Sequence, residues 1–244
     1  MRISVLADRP ELLEPMWDMP SPWPEFMRHD PISSIYYSVA HRIFPEFVLV
    51  AEDPDAPGTV VAQAYSIPFT PAGDELPDDG WDAAIRRGIR AHLMGETPTI
   101  VSAIEIGIRK DMQGKGLSSL MLAAMRDNVA RLGFSDLVAP VRPNGKADPD
   151  EPMTSYAFRT RPDGLPVDPW LRVHVRAGGV IEKVAPRSMV IPGTLAEWRE
   201  RTGLPFDADG PVHVPFALAP VNVDTAHDSA VYVEPNVWVR HRIS

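Results

Sequence analysis

The chain has 244 residues, 27 of them Pro, 16 Gly and none Cys, with a formal net charge of -9. Without Cys it has no disulfide framework, thiolate metal centre or Cys nucleophile, and its acidic balance argues against a general nucleic-acid binder. No run reaches the 18 apolar residues of a membrane span, and Asp8 without an apolar core region argues against a signal peptide.

In chain order, residues 2–7 read as a first strand, and Pro10 opens a helix through Trp17. A Pro-rich break at 20–24 separates it from a second helix over 31–44, with Ile32, Ile35, Tyr36, Val39 and Ile43 at helical spacing. Strands at 47–51 and 59–67 flank a Pro/Asp/Gly turn and form a hairpin. A loop over 68–80 leads to a helix at 81–94. Arg86, Arg87, Arg90 and His92 make its basic face, read as a solvated surface. A strand follows at 99–108, then a helix over 113–132 closed by Gly133, then a strand at 137–141. Residues 142–167 read as a Pro-rich loop, 169–177 as a short helix and 180–191 as extended chain. Thr194 with Glu197 has capping-box spacing and opens a helix ended by Gly203. Strands at 212–223 and 230–241 complete the chain. Hairpins at both ends exclude an all-parallel sheet, so the expected fold class is α/β (α+β) with a mixed, mostly antiparallel sheet flanked by helices.

Chemistry is concentrated in residues 104–122, where an apolar strand ends, a Gly-rich turn follows and an apolar helix begins. N–H groups at a helix start are unpaired and, with the helix dipole, make an anion site. Gly114 and Gly116 remove Cβ atoms where a phosphate would approach the main chain. A Walker loop is excluded, because Gly107 is two residues too far from Gly114 and Gly116 follows Lys115 where Ser or Thr is required. A dinucleotide fingerprint fails as well: Ser119 stands for its third glycine, and the strand at 137–141 ends without an acidic residue.

The segment resembles the motif of the GNAT superfamily of acyl-CoA-dependent N-acyltransferases, Gln/Arg-x-x-Gly-x-Gly/Ala after a strand. Here it runs Gln113-Gly114-Lys115-Gly116-Leu117-Ser118, preceded by Ile106-Gly107-Ile108. The resemblance implies a sheet splayed at the cofactor site, a turn whose amides bind the CoA pyrophosphate, and a strand that pairs with the pantetheine arm. Expected cofactor contacts are Ile106, Gly107, Ile108, Gln113, Gly114, Lys115, Gly116, Leu117, Ser118, Ser119 and Asn144. His174 falls where the family usually carries a Tyr acid. The implied core spans 1–192 with insertions at 68–98 and 142–167, and 193–244 extends the same domain with a helix and strands.

N-acyl transfer needs a base for the attacking amine and a proton for the leaving thiolate. Glu105, on the motif strand, is the expected base, an edge salt bridge being its alternative. His174 is the expected acid, with Tyr156 in the long loop as substitute. Tyr36 and Tyr37 lie where the family places its acceptor groove. The seven His form no close pair, so no metal is expected, and no Gly-x-Ser-x-Gly elbow suggests a hydrolase. The expectation is a cytoplasmic, bacterial N-acetyltransferase using acetyl-CoA and a small-molecule or peptide amine, by direct attack in a ternary complex. Neither nucleic acid nor membrane is an expected partner, and a homodimer is compatible. The competing reading is a non-catalytic acyl-CoA-binding or regulatory module of the same fold.

Overall fold

The computed structural model describes residues 1–21, 23–73 and 75–243. Pro22 of the expected break, Asp74 of the expected 68–80 loop and Ser244 of the C-terminal segment lie outside these.

Strand β1 (Arg2–Val5) is followed by short 3-10 turns and helix α1 (Leu13–Trp17). Helix α2 (Pro31–Ile43) starts where Asp30 accepts from the Ser33 N–H at 2.6 Å, with Pro31 in the first turn. Its Tyr36 and Ala40 are buried against the sheet. Strands β2 (Val48–Asp53) and β3 (Ala56–Phe69) form the expected hairpin. β3 outlasts its prediction: Pro68 and Phe69 still pair with Val101 and Ile100. Helix α3 (Gly80–Met94) leads to β4 (Ile100–Ile108), α4 (Leu117–Arg131) and β5 (Asp136–Val141).

The long Pro-rich loop contains a one-turn helix, α5 (Met153–Tyr156). After it come α6 (Pro169–Arg176), β6 (Val180–Gly193) and α7 (Leu195–Thr202), whose capping box forms as the spacing predicts. The expected strand at 212–223 is instead two, β7 (Gly210–Val212) and β8 (Val221–Asp224). Pro215 and Pro220 stand between them, and a proline cannot donate to a ladder. The long β9 (Ser229–Arg242) ends the chain.

Among the described residues the nine strands form one mixed, mostly antiparallel sheet flanked by helices. Its order is β1-β2-β3-β4-β5-β9-β8-β7, with β6 also on β9. The one parallel pair is β4 with β5, joined only through Val101–Leu137 and Ser102–Val138. On one edge β9 meets β5 at Val237–Arg242 and β8 at Ser229–Tyr232, leaving residues 233–236 unclaimed between them. No helix among the described residues is long and apolar enough to cross a membrane.

Candidate active site

The site opens where β4 leaves β5. On β3, Tyr65 pairs with Glu105 and Ser66 with Ala103, so Ile104 is an extra residue on β4. Such a bulge bends its strand and raises its twist, and here it coincides with the end of the β4–β5 ladder. The Ile104 carbonyl is not orphaned, because the Trp81 indole N–H donates to it at 2.9 Å. Beyond the bulge β4 still pairs with β3 through Ile108, but its other edge faces a cavity of about 530 Å³. Ile106, Ile108, Val141 and Trp170 are among its walls, and Asn236, from the unclaimed part of β9, also lines it.

The Gly-rich turn sits at one end of this cavity, which Gln113, Gly114, Leu117 and Ser118 line. Gly114 and Gly116 have φ of 75° and 80°, and a Cβ added to either would meet nothing within 4 Å. Glycine is therefore required by the left-handed backbone, not by crowding. Helix α4 consequently starts at Leu117, not at 113 as expected, with Gly116 at its N-cap and no side chain capping it. Among the described residues no backbone acceptor meets the N–H groups of residues 114–119. Lys115, Gly116 and Ser119 are not among the residues that line the cavity. What they offer is this row of amides without backbone acceptors, an arrangement that can hold an anion.

Glu105 is buried and lines both the first cavity and a second one of about 330 Å³ between α1, α2 and the sheet. Trp23, Trp81 and Met189 share this boundary position. The Tyr37 hydroxyl donates to Glu105 Oε2 at 2.5 Å, and the Gln63 amide to Oε1 at 3.4 Å. The Trp23 indole N–H lies beside the carboxylate without a partner in hydrogen-bond geometry. Burial pushes the Glu105 carboxyl above its ordinary range, and these neighbouring donors oppose the shift. Gly107, two residues on, is absent from the cavity walls but has its own reason to be glycine. A Cβ there would lie 2.7 Å from Glu105 Oε1.

His174 lines the first cavity from α6, with Nδ1 at 2.9 Å from His241 Nε2 of β9. Burial, and then His241, push its pKa down to about 3, and burial foremost lowers His241 to about 4. Burial and the neighbouring ring thus both disfavour an imidazolium at His174, the form in which it would serve as the expected acid. His174 is a polar wall group held by its partner. Tyr156 is not brought to the cavity: it is buried, and its hydroxyl donates to Asp168 Oδ2 at 3.0 Å. Asp168 also caps α6 through the Trp170 and Leu171 N–H groups and holds those of Asn144 and Gly145. This places Asn144 on the cavity wall. Tyr36 is likewise absent from both cavities, its hydroxyl donating to the Ser66 carbonyl at 3.0 Å. Tyr37 does line the second cavity.

Sequence reasoning missed Trp23, Trp81, Arg142, Trp170 and Asn236, all at the first cavity. Arg142 is held by Glu234, which also accepts from Tyr232 and Asn236. Arg142 and Glu234 are 92 positions apart, and no local pattern joins them.

No protein-family model matches the chain. An arginine N-acetyltransferase of Aspergillus versicolor is 32% identical, over 99% of this chain and 93% of that protein. Among solved structures, the loading GNATL domain of CurA from Lyngbya majuscula shares the fold with a TM-score of 0.58 at 19% identity, over 99% of this chain and 96% of that one. The GNAT-like decarboxylase GphF, solved with isobutyryl-CoA, has a TM-score of 0.56 at 15% identity, over 100% of both chains. With the splayed strands, the amide cradle and full-length similarity to an N-acetyltransferase, the chain belongs to the GNAT superfamily of acyl-CoA-dependent N-acyltransferases.

Proposed function

We propose that this enzyme acetylates arginine or a compound carrying an arginine side chain, with Glu105 as general base. The observation that carries the reading is the place of Glu105, the one carboxylate that lines both cavities among the described residues. The 32% identity to an arginine N-acetyltransferase supports the acceptor. A buried carboxylate among Trp17, Trp23, Trp81 and Tyr37 supports a cationic one. We place the enzyme in the cytoplasm and treat residues 193–244 as part of the catalytic unit, since their β9 carries Asn236 to the cavity wall and His241 against His174.

The residues present fit acetyl-CoA. The amides of residues 114–119 would hold its pyrophosphate, and the free edge of β4 at Ile106–Ile108 its pantetheine arm. When bound it supplies a thioester to the boundary between the two cavities. The protein's part is then to bring a nitrogen to that boundary and take its proton. Burial raises the Glu105 pKa toward that of an amine, which strengthens the base. The hydroxyl of Tyr37 fixes its orientation. Neutral His174 leaves thiolate protonation to solvent or to the proton collected by Glu105.

Thiol release from acetyl-CoA, followed with a panel of amino acids and polyamines, tests the acceptor. Arginine or an arginine derivative is expected to give the highest kcat/KM, by tenfold or more. Saturable turnover of other amines of the panel with none for arginine compounds would refute it.

A further inference from the structure

Resting on the arginine reading, we infer that the acceptor enters side chain first and is acylated on its guanidino group, not on its α-amine. The charges of the acceptor cavity carry this. Among its described lining residues the one acid is Glu105, buried at the boundary with the cofactor cavity, and the one cation is Arg28. The Arg28 side chain is 56% exposed and bonds Glu25 at 2.8 Å, itself 55% exposed, so this pair sits in solvent. The cavity is negative at its inner end and carries its positive charge at an exposed position.

An α-amine at the reacting position would bring its own carboxylate to about 3 Å from the nitrogen, by bond lengths alone. That carboxylate would be desolvated beside Glu105. The Arg142 guanidinium, which lines the other cavity, is already bound to Glu234. Two like charges in such a site repel strongly, and an unpaired buried charge is expensive. A guanidinium at the same place meets Glu105 as a charge-assisted partner and has Trp23 and Trp81 beside it. Its methylenes run along Met16 and Met27, flexible side chains that fit an aliphatic stem. The α-carboxylate then points to the mouth, where Arg28 can exchange its exposed partner Glu25 for it.

The step balances. A guanidino nitrogen attacks the thioester carbonyl carbon and forms the C–N bond. The C–S bond breaks and sulfur leaves with the electron pair. The nitrogen becomes far more acidic as it is acylated, so its proton passes to Glu105 during the attack. Glu105 then releases the proton to the thiolate, directly or through solvent.

The test is to react the intact enzyme and acetyl-CoA with L-arginine, with Nα-blocked arginine and with agmatine, and to map each product by NMR. The acetyl group is expected on a guanidino nitrogen, with Nα-blocked arginine turned over within about tenfold of L-arginine. Acetylation of the α-nitrogen, with the blocked compound inert, would overturn the inference and leave the arginine reading standing. Inertness of all three would remove both. Arg28→Gln is expected to raise KM for arginine about five- to tenfold and that for agmatine much less. An equal effect on both would contradict the side-chain-first pose.

Discussion

Glu105 is acceptable at the base of two cavities because three things hold it. Tyr37 donates to one oxygen, Gln63 reaches the other, and Gly107 leaves room for it. Two other buried carboxylates are only partly satisfied. Asp30 and Asp82 each keep one buried oxygen without a partner. Burial, then the charge of Asp30, push Asp82 up from 3.8 to about 8, and burial foremost raises Asp30 to about 6. A carboxyl whose folded pKa is raised contributes its full stability below its unfolded pKa. That contribution is lost as pH rises from about 4 to about 8, because the unfolded chain ionises first. Asp82→Asn removes the loss. The melting temperature of the variant relative to wild type is expected to climb between pH 5 and pH 8 by several degrees, at roughly 2–4 °C per kcal/mol for a domain of this size. A constant difference across that range would mean that Asp82 ionises freely in the fold. At this scale the sequence was partly legible. The position of Glu105 at a cavity was readable because it lies on the motif strand. The lowered pKa of His174 was not, because it comes from burial first and then from His241, 67 positions away.

The strand, turn and helix from β4 to α4 were legible as a unit, since apolar periodicity and paired glycines are local signals. The bulge at Ile104 was not, because it exists only in the register with β3. The same holds for Asp168, whose carboxylate joins the start of α6 to Asn144, Gly145 and Tyr156. The expected loop at 142–167 is therefore pinned at one buried acid. The turn makes a specific prediction. Gly116 adopts φ of 80° at the N-cap of α4 with open space around it. An alanine there has no steric neighbour but must enter the left-handed region, at a cost of about 1–2 kcal/mol. Gly116→Ala is expected to lower the melting temperature by a few degrees. It should also raise KM for acetyl-CoA about tenfold, because relaxation of the turn rotates the amides. Unchanged KM with a lowered melting temperature would separate the cradle from cofactor binding.

Across the whole molecule the two cavities share Glu105, Trp23, Trp81 and Met189. Each cavity is built largely from a different part of the chain. The second cavity draws on the N-terminal helices, and the first on β4, α4, α6 and β9. The mixed sheet and its order of helices and strands were readable from hairpin signals and periodicity. The path of β9 between β5 and β6 was not, since strand order is set by packing of distant segments. This architecture predicts that both substrates are held together and that nitrogen attacks directly. Double-reciprocal plots at varied arginine and acetyl-CoA should intersect, and mass spectrometry after incubation with acetyl-CoA alone should show no acetylated protein. Parallel lines with a covalent adduct would require a nucleophile that is not Cys, since the chain has none. The most direct test of the central claim is the Glu105→Gln variant, assayed for turnover and for acetyl-CoA affinity side by side. The structure predicts a fall in kcat of about 100-fold or more, with the cofactor dissociation constant within about twofold of wild type. Turnover close to wild type in the glutamine variant would contradict it.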